Sequence, residues 1–589
     1  MSDLLNSASL VMIPSGYKED VVYSQIPTDG SGDLSFTRAS NGTRINSAGL
    51  VEVCPWNLIS YSEQFDSPFW NKGTSGSATF VVTANATTAP NGTNTADLIS
   101  ITRSATSELA STYTFVGQGV GTFKNTIWLK AKDSSNVGKT IDLWSWEGDT
   151  RGYTKVTLTA DWVRYEQNTT VFTGTASELM DFGLLPISYS TSTTLAVEFY
   201  AWGAQSNIGS TAKPYFPTTD RLNVPRLTYQ NGGGGCPSLL LEKQSTNLAL
   251  YSEQFDNAAW TKYESTITAN ATTSPDGTQN ADLLLDNSSS DAHSAYQIII
   301  ATANTYTWSV YAKAQNNNFL IISAYTGSHN RTWFNLSNGT VGTNASGNTA
   351  TIESVGNGWY RCSVSRAYTL GAFIIEVSTS KTNGVSSYVG NGADGIYIWG
   401  AQLEASSYPT SYIPTTSASA TRVADACFKT GIGSLIGQNE GVMFIDCVLN
   451  GTSTGGASNY GNILNTNRTA NTTAAIAFLY FESTSTLTVN YFNGNGSYTP
   501  IVTLDKGSIN MGDRVKIAFA YKSGDFALYV NGSLAATSTT TFTAAGGMED
   551  IYLSDLNIYY GYPMGLKVNE QLFSKTRLTN AELASLTTI

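Results

Sequence analysis

The chain repeats itself, and that duplication limits the folds open to it more than any other feature. The segment NLISYSEQFDSPFW at residues 57–70 returns as NLALYSEQFDNAAW at residues 247–260 with the same internal spacing. TANATTAPNGTNTADLI from Thr83 is matched by TANATTSPDGTQNADLL from Thr268, and DWVRYE around Trp162 by GWYRCS around Trp359. WGAQ at Trp202 and YFPTT at Tyr215 reappear as WGAQ at Trp399 and YIPTT at Tyr412. The order is kept and the offset stays between 185 and 197 residues, so one module of about 165 residues occurs twice.

The texture of each copy is β. Runs such as TIWLKAK, TLAVEFYAW, TYTWSVYAK, FLIISAY and AFIIEVST are bounded by Gly, Asn and Ser, and no stretch of helical length has a 3.6-residue period. Antiparallel strands in a module of this size most often close as a two-sheet jelly roll. From about Glu440 the pattern changes. EGVMFIDCVLN reads as one strand and DRVKIAFAYKSGDFALYVNGSLAATS as three, with 513–521 and 526–530 followed by a hairpin turn at Asn531-Gly532. Near the end, Thr579 and Glu582 form a capping box that opens a short helix. The stretch up to Val53 and residues 221–246 belong to neither copy, and they are expected to make one small β unit into which the first module is inserted. The expected division is 1–53 (completed by 221–246), a first jelly roll at 54–220, a second at 247–437, and a further sandwich at 438–589.

Composition removes several functions. At about 100–200 residues per domain, 589 residues hold three to five domains. Charged residues are 13%, about half the usual share, and Ser, Thr, Asn and Gly take their place. With 32 basic against 44 acidic residues the net charge is −12, and no Lys/Arg-rich run offsets it, so nucleic-acid binding is disfavoured. The two histidines, His293 and His329, sit in no zinc or triad pattern and read as loop residues without a role. The five cysteines are scattered without CxxC spacing, which argues against zinc and against a disulfide framework. The first residues show no basic region, apolar run and cleavage site in series, so no cleaved export signal is expected, and no stretch approaches the about 20 apolar residues of a membrane span.

The order of motifs resembles phage virion proteins that carry carbohydrate-binding-module-like jelly rolls. LSFTRASNGTRINSAGLVE, PSLLLEKQSTNL, GNGWYRCSVS and SYIPTTSASATRVADAC follow the pattern of that group, and each copy opens with NL…YSEQFD…W and closes with WGAQ. The C-terminal KIAFAYKSGDFALYVNGSLAATS with LTNAELASLT resembles the concanavalin A-like, laminin-G-like fold. The resemblance implies an all-β chain of two tandem jelly-roll sandwiches plus a C-terminal concanavalin A-like sandwich. It also implies a fibre or appendage component of the head or tail, located in the virion after assembly in host cytoplasm. Its partners would be other virion proteins, copies of itself (a trimer favoured over a dimer) and host-surface polysaccharide, with no nucleic acid and no membrane.

Residues shared by both copies are expected to serve the shared fold, which assigns Trp70/Trp260, Trp162/Trp359 and Trp202/Trp399 to the framework. Ligand selectivity is expected where the copies differ. In DLWSWEGDTRGYTKV, Trp144 and Trp146 lie two apart and share one face of a strand, near Asp142, Glu147 and Arg151. In SAYTGSHNRTWFNL, Tyr325 stands near the place of Trp146, with Trp333 and Phe334 beyond the loop and Asn330 and Arg331 beside them. Aromatic faces beside polar groups suit sugar rings, so Trp144, Trp146, Tyr325 and Trp333 are the candidate glycan contacts. The competing reading packs them in a core or against another subunit. No catalytic pair is found: Glu549, Asp550 and Asp555 have the wrong spacing for a glucanase, which leaves a depolymerising tailspike enzyme as the alternative to a binding protein. No cofactor is called for. A structural Ca²⁺ is sometimes held by such jelly rolls, and Glu63, Asp66, Glu253 and Asp256 would be its donors, without a full oxygen set in the sequence.

Overall fold

The strand-forming runs do assemble into an all-β protein in the computed structural model. It describes residues 7–589 apart from 118–119, 148–149, 168–169, 174–177, 301, 326, 369–371, 452–459, 467–472, 495, 498, 544–545 and 555–561. At 117, 120–121, 147, 150–151, 170–173, 178–179 and 562 the backbone alone is described. The chain divides into two compact units, one of Val53–Leu222 with Gly277–Asn280 and one of the remainder.

The first unit is a two-sheet sandwich. Its five-stranded sheet runs in the order Thr150–Thr157, Thr140–Glu147, Glu178–Leu184, Ala110–Gly117, Asn71–Thr74. The facing sheet is built on Val120–Ala131, Ala196–Ile208 and Ala96–Thr102. Because side chains alternate along a strand, Ile141 and Leu143 join Met180, Phe182 and Leu184 in the core with Phe65 and Trp70. The alternate residues Trp144 and Asp181 are left on the outer face.

The second copy repeats this plan in the larger unit. Its outer sheet has the order Thr261–Tyr263, His293–Ile300, Ala372–Ser380, Phe319–Tyr325, His329–Asn335, Thr340–Asn344. The repeated motifs are structural parts. Asn57 Nδ2 donates to the carbonyls of Ala204 and Phe216 at 3.0 and 2.9 Å, and Asn247 does the same to Ala401 and Ile413 at 2.9 and 2.8 Å. The glycine of each WGAQ sits in the left-handed region (φ 65° at Gly203, 66° at Gly400), next to the rings of Trp128 and Tyr311. The pairing register shifts there in both copies, so the motif marks a β-bulge that only glycine fits without strain. Trp70 and Trp260 are buried and donate from Nε1 to the carbonyls of Tyr61 and Tyr251.

The C-terminal sandwich differs from the expected division. Leu10–Met12 pairs with Gly565–Ser574, and Arg226–Thr228 and Ser238–Leu241 extend the same sheet. Tyr17–Lys18, Val21–Val22 and Leu34–Thr37 lead into the opposite sheet through Ala426–Lys429. Among the described residues the sandwich therefore takes strands from before 438, and of the N-terminal strands Gly42–Ile45 and Val51–Cys54 form a two-stranded sheet of their own. The reason is burial: Leu10, Leu34, Phe36, Leu239, Leu241 and Cys427 share one apolar core with Met443, Ile445, Phe478 and Phe519. A unit of the N-terminal stretch and its connector alone could not cover those side chains.

The local expectations in this region are met where turn chemistry is strong. Strands occupy Arg514–Lys522, Phe526–Val530 and Ser533–Ser538, and Asn531 and Gly532 both have positive φ (49° and 78°). The helix Asn580–Thr587 opens on a reciprocal cap, with Glu582 N donating to Thr579 Oγ1 and Thr579 N donating to Glu582 Oε2.

Candidate functional site

Strand register decides what stands on the outer face of the first jelly roll. Tyr113, Asp181, Trp144 and Tyr153 lie side by side across four strands. The next row holds Phe115, Leu179, Trp146 and Arg151, and on the other side come Ser111, Gly183, Asp142 and Lys155. Trp144 and Trp146 thus do share a face. They line a pocket of about 280 Å³ together with Leu109, Gly152, Tyr153, Asp181, Leu185, Pro186 and Tyr189. Trp144 is 6% exposed and forms the floor, whereas Trp146 is half-buried at the side. Tyr153 and Tyr189 are more than half exposed, so aromatic surface continues out of the pocket.

The polar groups here have distinct states. Asp142 is fully buried and accepts from Ser190 Oγ at 2.6 Å and Leu185 N at 3.2 Å. Burial raises its carboxyl above the ordinary range, against the pull of Ser190, Leu185, Arg103 and Lys155. Asp181 is 5% exposed, and burial pushes its carboxyl well above the ordinary value despite Ser111 and the Phe182 amide. The side chains of Glu147 and Arg151 lie outside the described residues.

In the second copy the same rows carry different chemistry. Tyr296, Glu376, Ser323 and Arg331 take the places of Tyr113, Asp181, Trp144 and Tyr153, and Ile298, Ile374, Tyr325 and His329 form the next row. Tyr325 therefore stands where Trp146 stands in the first copy, 36% exposed and against the His329 ring at 4.7 Å. Trp333 lies a row away beside Ile321, 7% exposed, with Nε1 donating to Val385 O at 3.2 Å, and its neighbour Phe334 is in the core. Asn330 occupies the intervening strand position, and Arg331 donates to Ser386 Oγ at 3.1 Å. The candidate contacts thus line one pocket in the first copy, whereas Tyr325 and Trp333 stand on separate rows in the second.

Both histidines sit in strands, contrary to the loop reading. His293 is buried against Tyr388 and bonded to the Glu264 and Tyr388 carbonyls, while His329 Nδ1 lies 3.3 Å from Glu376 Oε2. The sequence reading also missed Tyr153, Tyr189 and Asp181. Tyr153 carried a signal, since pairing DLWSWE with TRGYTKV as neighbouring strands sets it opposite Trp144; Asp181 carried a weaker one, a lone acid in the alternating run LMDFGL.

Two of the four candidate calcium donors are bonded to tyrosine hydroxyls: Glu63 accepts from Tyr215 OH and Glu253 from Tyr412 OH, each at 3.0 Å. Among the described residues no group of three or more His, Cys, Asp and Glu side chains is placed to hold a metal. Asp550 accepts from Gly431 N, and Asp555 lies outside the described residues. Asp97 and Asp282 occupy one role in the two copies, each accepting two backbone amides: Phe65 and Asn85, Phe255 and Asn270. Burial is the main cause that raises both to about 6, and burial with nearby Asp276 raises Glu253 to about 8. These groups keep their protons in the folded state at pH values where the unfolded chain has lost them, so stability falls as pH rises through this window. The unfolding temperature is expected to be higher at about pH 5 than at about pH 8. Glu253→Gln is expected to flatten the upper half of that slope in a thermal melt series, and a rising slope would refute the assignment.

No protein-family model and no curated protein matches the chain. Solved structures similar to parts of it include the CBM40 of Ruminococcus gnavus IT-sialidase bound to α2,3-sialyllactose, at 16% identity over 26% of this chain and 84% of that one, TM-score 0.22. The CBM22-1–CBM22-2 tandem domain of Paenibacillus barcinonensis Xyn10C is 13% identical over 59% and 97%, TM-score 0.20. Domains LG4-5 of the mouse laminin α1 chain are 13% identical over 50% and 88%, TM-score 0.18. The likeness is one of fold alone.

Proposed function

We propose that this chain is a non-catalytic structural component of a phage virion, a head- or tail-fibre part that assembles with itself and other virion proteins and contacts host-surface glycans. The observation that carries the glycan reading is the pocket lined by Trp144 and Trp146, mostly apolar with the Asp181 carboxyl among its lining groups. A sugar ring presents a C–H face that is desolvated against an indole while its hydroxyls need partners, and both needs can be met there. The virion placement rests on the motif order, and a net charge of −12 speaks against nucleic acid as partner. Among the described residues no helix is long and apolar enough to cross a membrane.

Trp146→Ala is expected to weaken binding to host-cell surface polysaccharide by about tenfold or more while near-ultraviolet circular dichroism stays native. Loss of folding in that variant would make the residue a core group and remove the site. An antibody to the chain should label intact particles; labelling nowhere on the virion would sink the structural role. The depolymerase alternative needs a second carboxyl able to reach the same sugar. Of the described side chains on this face, Asp142 is the other carboxyl, and it is fully buried with both oxygens bonded. Release of reducing ends from host polysaccharide would favour the enzyme.

A further inference from the structure

One polar atom in the first jelly roll's pocket has nothing to bond. Asp181 lines the pocket, its Oδ2 accepts from Ser111 Oγ at 3.4 Å, and its Oδ1 is buried without a hydrogen-bond partner among the described residues. Buried carboxyl oxygens are ordinarily bonded, so an orphan on a residue that lines a cavity is a place where another molecule could complete the set. The duplication supplies a comparison. At the equivalent position the second copy has Glu376, and there His329 Nδ1 lies 3.3 Å from its Oε2 while Arg331 stands on the same row. Burial pushes the Glu376 carboxyl up, but His329, Ser294 and Arg331 together bring it below the ordinary range. Glu376 Oε2 is likewise buried without a hydrogen-bond partner among the described residues, but Ser323 stands there in the place of Trp144, so the stacking face of the first copy is missing.

We propose, building on the glycan-binding reading, that Asp181 determines the specificity of this pocket: Oδ1 bonds one hydroxyl of an uncharged sugar ring lying against Trp144 and Trp146.

The groups around Asp181 account for the preference against charge. Ser111 and Tyr113 face it from one neighbouring strand, and Asp142 and Trp144 from the other, with Tyr153 and Lys155 beyond. The loop contributes Leu185, Pro186 and Tyr189. The described cations nearby are committed elsewhere. Lys155 Nζ donates to Thr191 Oγ1, and Arg103 donates to the carbonyls of Thr106, Glu108, Leu185, Thr194 and Ser192. Among the described residues an anionic sugar would meet apolar walls and no uncommitted counter-charge. With its proton retained, the Asp181 carboxyl can donate to one sugar oxygen and accept from another.

The test uses the full chain, tryptophan fluorescence, and a panel of α- and β-linked glucose trisaccharides and galactose, with glucuronic acid and glucosamine as charged probes. Wild type is expected to bind at least one neutral sugar, and neither charged probe more tightly. Asp181→Ala is expected to lose about tenfold or more in affinity, and Asp181→Asn, which keeps a donor and an acceptor at the same size, only about threefold. Glu376→Gln is expected to leave binding unchanged. If Asp181→Ala binds like wild type while Trp146→Ala does not, this inference falls and the glycan reading stands. Tighter binding of glucuronic acid or glucosamine, or loss of binding in Glu376→Gln, also overturns it. If no sugar binds wild type, both readings fall. Should Asp181→Ala not fold, the Asn variant and the ranking of charged against neutral probes decide.

Discussion

Replacing Arg226 by alanine is expected to destabilise the larger unit by about 3–5 kcal/mol, the usual effect of removing one partner from a buried ion pair. Arg226 is fully buried, and its Nη1 donates to Glu242 Oε2 and Ser411 Oγ, both at 2.7 Å, and to Thr43 O at 3.1 Å. Its Nη2 bonds Asp425. Asp425 is shared with Arg38 at 2.9 Å, and Glu242 with Arg422 at 3.1 Å. Burial alone would raise the Glu242 carboxyl, but Arg422 and Arg226 hold it well below the ordinary range. The cluster joins the N-terminal stretch, the connector after the first jelly roll and the segment after the second, all within one unit. Arg226→Ala leaves Asp425 and Glu242 short of a counter-charge in a site that water does not reach. Urea unfolding monitored by fluorescence would measure the loss; a change under about 1 kcal/mol would mean that the charges are solvated and the clasp does not exist.

Trp70→Ala and Trp260→Ala are expected to cost about 3–5 kcal/mol each, because a large buried aromatic leaves both a transfer loss and a cavity. The duplication makes the pair a matched experiment. Both rings are 1% exposed, both indole N–H groups bond a tyrosine carbonyl, and both pack against a phenylalanine, Phe65 at 5.0 Å and Phe255 at 4.7 Å. The two residues belong to different compact units, so calorimetry should show different transitions moving. Trp260→Ala and Arg226→Ala should lower the same transition, and Trp70→Ala another. A single transition moved equally by all three would show that the chain unfolds as one body.

Much of the fold was legible in the residues. The repeated NL…YSEQFD…W, WGAQ and Y-x-P-T-T strings encode local hydrogen bonds, a bulge and a buried indole, all of which act over short distances and leave a fixed spacing. Asn531-Gly532 and Thr579 with Glu582 were readable for the same reason, since a positive φ or a cap is a property of one to four residues. The strings LSFTRAS, LLLEKQ and ATRVAD were visible as motifs, but their purpose was not. Arg38, Glu242, Arg422 and Asp425 come from those three strings and meet only because strands far apart in sequence close one sandwich. The same holds for the N-terminal strands, which read as a separate unit and for the most part pair into the C-terminal sheets.

The sequence alone determined that the chain is built of β-sandwich modules, one of them used twice, because alternation and turn chemistry are written residue by residue. It also put Trp144 and Trp146 on one face, since a two-residue period needs no partner strand. Which residues join the two tryptophans at the pocket was decided by tertiary structure. Pairing register across four strands brings Tyr153 and Asp181 to Trp144, and in the other copy brings Arg331 and Glu376 to Ser323. A register is a relation between distant segments, fixed by the burial of their opposite faces, and no single segment contains it.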